Sequence, residues 1–401
     1  MRLPRALRVF WAGSVGMFLL TWLRGWLEAR AGVPRNGWDP LDEPLFGDLL
    51  EYVPTLKLVH TSAFWGNPVT SPVAYPPFGA VLFRGLYLGG HPVAVYVVIA
   101  ALAAGVVVWG VVRALRAEGI GWATAILFPV TVGLVSFPIR GLVERGNVEL
   151  LLWIFAATGS WLYVRGRNDG AAVLWGLAAG VKLYPVIFLA LLLPRRAWRA
   201  FGVGVGTFVG ATVASMIYLG PTVGEAWRGS LKNVFGYQGI RVAEWSLHEL
   251  VANHSFFGLV KFVATLMGVA PGRLTGPYYL CGAVLFAVVF FGRVWRLPVA
   301  NQLLMVSLFM VMLPPISYFY TLVHLYAPFV VLMLVAVRAE RLGVKVPGLG
   351  GALVLFVPVF GSAALMTART VYVFGGLVQA VVLAVLFWCS VRYRFEVVDE
   401  G

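Results

Sequence analysis

The sequence predicts an all-α protein that crosses a lipid bilayer many times, and three observations carry that reading. Of its 401 residues, 60% are hydrophobic and 12% charged, with a mean hydropathy of +0.85. This balance excludes a water-soluble globule with an ordinary polar surface. Apolar runs of about 16–24 residues recur along nearly the whole chain, each long enough to cross a hydrocarbon core of roughly 30 Å as a helix. Helices satisfy their own backbone hydrogen bonds, which is what lipid requires of a spanning segment. The third observation is charge: the net value of +14 comes mostly from arginines clustered between the runs. That is the positive-inside pattern of a membrane protein and not a nucleic-acid footprint.

Taken in order, the first run, Val9 to Trp26, follows Arg2, Arg5 and Arg8. It lacks a small-residue cleavage site and is expected to remain as an anchor. The clusters Arg2/Arg5/Arg8, Arg113/Arg116, Arg165/Arg167, Arg195/Arg196/Arg199, Arg293/Arg296, Arg338/Arg341 and Arg392/Arg394 all belong in the cytoplasm. Spans near 8–28, 92–115, 120–138, 148–165, 198–219, 277–296, 299–314, 321–338, 347–366 and 371–392 meet that condition. About ten full crossings result, in one membrane domain covering 1–401, with both termini cytoplasmic and the protein multi-pass in the plasma (inner) membrane. Cys281 and Cys389 fall inside apolar runs and are expected as buried thiols, without disulfide or zinc.

Three apolar stretches, 76–90, 170–193 and 256–270, do not fit as simple crossings. The middle one joins two basic clusters and has Gly176, Gly180 and Lys182-Leu183-Tyr184-Pro185 at its centre. Either two half-helices meet at that break, which is tolerated at membrane depth where it lines a protein cavity, or one helix kinks there. The stretch at 256–270 is expected to be re-entrant. Two polar segments, 29–77 and 220–255, then face outward, with short turns at 139–147 and 315–320; interfacial helices are expected in these outer loops.

The chemistry gathers on that outer side. Asp39, Asp42, Glu43, Asp48 and Glu51 fall in a stretch of the first loop that has no Lys or Arg. Solvation explains Asp39, Asp42 and Glu43, although the three could also hold a divalent ion. Asp48 is different, because it and Tyr52 would share one face of an interfacial helix, where a carboxylate can act as general base. The loop ends in Tyr75-Pro76-Pro77-Phe78, which imposes an extended entry into the next helix. The turn at 139–147 carries Asn147 and two arginines, Arg140 and Arg145, outward cations suited to an anion. Lys182, one of five lysines, lies in an apolar run. It either snorkels to an interface or, with Tyr184, faces a cavity and holds a phosphate. The second loop carries Ser246-Leu247-His248-Glu249 and then Asn253-His254-Ser255. Asn253 and Ser255 can cap the following helix. Capping does not account for His254. Finally, Pro314-Pro315-Ile316-Ser317-Tyr318-Phe319-Tyr320 separates two apolar runs, with His324 just beyond.

In order and spacing, Asp48-x-x-x-Tyr52, Tyr75-Pro76-Pro77, Arg145-Gly146-Asn147, Lys182-x-Tyr184-Pro185, Asn253-His254-Ser255 and Pro315-Ile316-Ser317-Tyr318 resemble glycosyltransferase family 87. These are the polyprenol-phosphate-mannose-dependent α-1,2-mannosyltransferases of GT-C architecture. The resemblance covers roughly the first four-fifths of the chain. It implies a GT-C-like bundle, a catalytic aspartate at Asp48, a polyprenyl-phosphate-linked sugar donor, a glycan or glycolipid acceptor, and an active site on the outer, periplasmic face. Lys182, Arg145 and His254 are then expected to hold the donor phosphate. Tyr52, Tyr75, Asn147, Tyr184, Asn253, Ser317 and Tyr318 would position substrate. No cofactor or metal is needed, and the partners are lipids and lipid-linked sugars, not nucleic acid. Where the family's last motif often continues into histidine, this chain has Phe319 and Tyr320, leaving His324 or His254 as substitutes. A transporter or flippase of a lipid-linked glycan is the alternative; it shares the composition and the broken helices but has no need of Asp48.

Overall fold

The computed structural model describes residues 2–32, 45–66, 73–244, 253–361 and 372–397. Asp39, Asp42, Glu43 and the Ser246–Glu249 motif lie outside them. The described residues are mostly helical, without a strand; one isolated bridge joins Asn253 to Tyr318. The first four helices are α1 (Arg5–Arg30), α2 (Gly47–Leu50), α3 (Val53–Leu56) and α4 (Ala63–Gly66). Then come α5 (Pro77–Tyr87), α6 (Pro92–Ala117), α7 (Trp122–Val135), α8 (Phe137–Arg145), α9 (Glu149–Val164) and α10 (Asn168–Val181). After a 3-10 segment at Tyr184–Leu192 follow α11 (Trp198–Leu219), α12 (Val223–Glu244), α13 (Phe256–Leu266), α14 (Thr275–Gly292) and α15 (Val299–Met312). A second 3-10 segment, Phe319–Leu325, leads into α16 (Tyr326–Leu342), α17 (Leu349–Phe360) and α18 (Tyr372–Arg392).

Helices occur at all ten expected spans. Five segments among the described residues are long and apolar enough to cross a bilayer: Arg5–Arg30, Pro92–Ala117, Trp198–Leu219, Pro271–Arg296 and Phe319–Leu342. The pair α7 and α8, bent by 57° at Ser136, makes a sixth if counted as one span. The segment 139–147, expected as a turn, is therefore mostly helix: Phe137-Pro138 restarts it, and a proline in the first turn lacks only an N–H that would be unpaired anyway. Of the three stretches set apart in the sequence, α5 and α13 are 11 residues long. That is about 16 Å of helix, too short to cross. The third breaks where expected, with α10 ending at Val181 and its continuation being 3-10.

The helices cluster into two compact units. One comprises Met1–Asp42, Leu102–Gly141 and Ser246–Gly401; the other comprises Glu43–Ala101 and Leu142–Trp245. At the heart of the first, α15 is buried from Ala300 to Met312. An aromatic cluster packs beside α1, where Phe10 lies 4.5 Å from Phe329 and Tyr326 stacks on Phe360 at 4.0 Å. In the second unit α10 packs tightly on α11. A Cβ at Gly176 would collide with the Gly204 carbonyl and stand 3.0 Å from Thr207 Cβ, so the backbones touch because both positions lack side chains. Apolar side chains such as Leu102, Val106 and Trp109 of α6 are exposed, as a surface that meets lipid requires. Cys281 belongs to such a surface: with its neighbour Leu280 it is exposed on α14, not buried as expected. Cys389 is buried, and both thiols are free.

Candidate active site

The second unit draws the segment that carries Asp48 onto the start of α9. Asp48 and Tyr52 do not share one helix. Pro54 has no N–H to bond the Leu50 carbonyl, and the segment instead forms two short helices, α2 and α3, with Tyr52 at the junction. Phe46 sits in the left-handed region at φ 60° and donates its N–H to the Glu144 carbonyl at 2.6 Å. Tyr87 donates its hydroxyl to the Leu49 carbonyl. Gly146 makes the close approach possible: its φ is 65°, and a Cβ there would lie 2.8 Å from Leu49 Cβ and 3.2 Å from Phe46 Cα.

Held in this way, Asp48 is met on both oxygens. Arg145 Nη2 donates to Oδ1 at 2.7 Å and Asn147 Nδ2 donates to Oδ2 at 2.8 Å. An ionised carboxylate has about four acceptor sites, so these two bonds orient it without exhausting its capacity to take a proton. The Asp48 side chain is 14% exposed and Arg145 42%. Asn147 is itself fixed, accepting the Glu149 N–H on Oδ1 at 2.9 Å. The Tyr96 hydroxyl lies 3.0 Å from the carbonyls of both Leu142 and Asn147.

Glu149, absent from the sequence-derived candidates, is the next link. It is fully buried at the start of α9. Lys182 donates to its Oε2 and Tyr184 to its Oε1. Lys182 therefore does not simply snorkel; its charge is met by a carboxylate. Its ammonium also lies 5.6 Å from the centroid of the Tyr75 ring, which packs edge-on against Tyr52 at 5.6 Å. Pro76 is extended, with ψ 155°, and Pro77 opens α5, as the sequence implied. Seven expected residues, Asp48, Tyr52, Tyr75, Arg145, Asn147, Lys182 and Tyr184, thus form one connected set around Glu149.

The other expected residues form a separate cluster in the first unit. Asn253 accepts the N–H groups of Ser255 and Ser317 on Oδ1, each at 3.0 Å, and donates to the Pro315 carbonyl at 3.1 Å. Ser255 caps α13 by accepting the Gly258 N–H and also donates to Pro315. The Ser317 and Thr321 hydroxyls are 2.7 Å apart. Asn253, Ser255 and Ser317 thus zip two segments some sixty residues apart in sequence; Tyr318 is buried at the bridge. His254 differs, because among the described residues neither ring nitrogen of its buried side chain has a hydrogen-bond partner. Burial lowers its pKa from 6.5 to about 3. The imidazole is therefore neutral at physiological pH and is not the cation that a phosphate-holding role would suggest. Phe319, at the position where histidine was anticipated, packs 4.7 Å from Phe137.

Comparison with known proteins decides what the connected set belongs to. The model of glycosyltransferase family 87 matches residues 74–317, more than half of the chain. The chain belongs to glycosyltransferase family 87. The match takes in Tyr75, Arg145, Asn147, Glu149, Lys182, Tyr184, Asn253, His254 and Ser317; Asp48, Tyr52 and Tyr318 lie beyond it. Similar curated relatives include a polyprenol-phosphate-mannose-dependent alpha-(1-2)-phosphatidylinositol pentamannoside mannosyltransferase of Mycolicibacterium smegmatis. It is 28% identical over 234 residues, half of this chain and 51% of the relative. A protein of the same description from Mycobacterium tuberculosis is 26% identical over 339 residues, 81% of this chain and 74% of the relative. The family 87 chain thus spans about half the length of the first of these and three-quarters of the second. No solved structure matches it. Among its described residues no three of His, Cys, Asp and Glu group as a metal site.

Proposed function

We propose that the protein is a membrane glycosyltransferase that moves a sugar, mannose in the first instance, from a polyprenyl-phosphate donor to an acceptor hydroxyl on a lipid-linked or envelope glycan. The observation that carries this reading is the Asp48 carboxylate, oriented on one oxygen by Arg145 and on the other by Asn147 in a family 87 chain. Asp48 takes the acceptor proton as that oxygen bonds to the anomeric carbon. The bond from the anomeric carbon to the phosphate oxygen breaks, and the electron pair leaves with the polyprenyl phosphate, inverting the centre. Arg145 and Lys182 stabilise the phosphate charge, an effect worth several kcal/mol in a water-poor site. Tyr52, Tyr75 and Tyr184 position the sugar. Cations supplied by the protein make a metal unnecessary; a divalent ion held by Asp39, Asp42 and Glu43 is the alternative.

On this reading the site faces outward from the plasma membrane and both termini are cytoplasmic, following the positive-inside pattern of the arginine clusters, and the acceptor is a glycolipid like that named for the relatives. Asp48→Asn tests the reading. It keeps the shape and one of the two accepted hydrogen bonds but removes the base, so transfer falls by about 10²- to 10⁴-fold while the protein stays folded. Normal transfer by the variant, measured with labelled polyprenyl-phosphate sugars and purified protein, rules Asp48 out as base. Cysteines placed in 29–77 and 220–255 should be labelled from outside only.

A further inference from the structure

A carboxylate wholly out of water is tolerated only where charge and hydrogen bonds compensate it. Glu149 has both, with a lysine on one oxygen and a tyrosine hydroxyl on the other. Such a pair is a poor device for stability, since apolar residues of similar volume serve as well or better. What the pair does achieve is placement. A lysine ammonium rides on a flexible four-carbon stem, and Lys182 sits at a helix break, where its backbone is extended at φ −143° and ψ 147° and sets no helical direction for the side chain. Glu149 sits on the N-terminal residue of α9, whose N–H is bonded by the same Asn147 amide that holds Asp48. One scaffold therefore orients the acid that would take the proton and the cation that would meet the phosphate.

We propose that Glu149 is the positioning residue of this site: it fixes Lys182 and Tyr184 to receive the phosphate of a polyprenyl-phosphate ligand. The inference rests on the transferase reading for its place in catalysis, but it concerns phosphate binding and can be tested by binding alone. Two measurements are paired: the KM for a polyprenyl-phosphate sugar in transfer, and the Kd for polyprenyl monophosphate itself. They are made on purified wild type, Glu149→Gln, Lys182→Met and the double variant.

Each single variant should raise KM and Kd by about tenfold with a smaller change in kcat, and the double variant should be no worse than Lys182→Met, the signature of two residues acting as one. A merely structural Glu149 would lower the denaturation midpoint and leave KM and Kd of the folded fraction alone. Effects that multiply in the double variant, or a Glu149→Gln enzyme with wild-type KM and Kd, overturn the inference. Should Glu149→Gln fail to fold, Glu149→Asp and the charge-free double variant replace it: a raised KM in Glu149→Asp upholds the inference and a wild-type KM overturns it. If the wild type binds polyprenyl phosphate with this coupling yet transfers no sugar, the transferase reading fails and the positioning role stands. If the wild type does not bind polyprenyl phosphate at all, both fail.

Discussion

Gly146→Ala separates the geometry of the site from its stability. Gly146 has a φ of 65°, and an alanine in the left-handed region costs about 1–2 kcal/mol. It also meets an obstacle: the new Cβ would stand 2.8 Å from Leu49 Cβ, where ordinary contact begins at 3.4 Å. Leu49 is buried and its carbonyl is held by Tyr87, so the strain passes into the backbone that carries Asp48. A retreat of about half an ångström weakens bonds that now stand at 2.7 and 2.8 Å. A displacement of 1 Å can cost about 10²-fold in rate, so half of that predicts roughly a tenfold fall in kcat.

Gly166→Ala is the control. Gly166 has a φ of 75° and an added Cβ there meets nothing within 4 Å, so the backbone cost is the same and the clash is missing. Denaturation midpoints and transfer kinetics in detergent should show both variants destabilised, Gly146→Ala the more by its clash, with only Gly146→Ala slowed per folded molecule. Equal loss of kcat in the two variants, or full kcat in Gly146→Ala, refutes the link between the glycine and the orientation of Asp48.

His254 predicts an acid sensitivity. Its folded pKa lies at about 3 against 6.5 for the free side chain, so the unfolded chain binds a proton between those values and the folded chain does not. The stability due to neutral His254 is complete above pH 6.5 and declines below it by about 1.4 kcal/mol per pH unit until the folded group titrates. The difference between denaturation midpoints at pH 7 and pH 5 should shrink in His254→Gln; an unchanged difference sinks the assignment. Gly176→Leu should loosen α10 from α11, because even a Cβ collides with the Gly204 carbonyl. Overpacking of this kind costs about 1–3 kcal/mol. Unaltered thermal stability would contradict the packing.

The break at Lys182 was legible in the sequence because its cause is local. Basic clusters at both ends of an apolar run, with Lys182 and Pro185 at its centre, forbid a simple crossing, and α10 stops at Val181. Extended entry at Pro76 and the cap at Ser255 are local too, and both occur. The connected set around Asp48 was legible in its members but not in its wiring. The spacing of Asp48 and Tyr52 suggests one helical face, yet Pro54, two residues further on, divides the helix. Exposure of Cys281 depends on which side of α14 meets lipid, and a helix apolar on all sides carries no mark of that.

Glu149 is the instructive omission. Its partners lie 33 and 35 residues away, so no motif length contains them. The cue is energetic instead. A lysine inside an apolar run needs a counter-charge at membrane depth, and a search for one reaches the acid that stands immediately before Leu150-Leu151-Leu152-Trp153. Glu149 in that position has no solvent to explain it, and Lys182, at the break after α10, has little, so the two opposite charges account for each other. Asking what neutralises each buried charge, before asking what each charge might bind, moves Lys182 from a lone phosphate ligand to one half of a pair whose other half decides where it points.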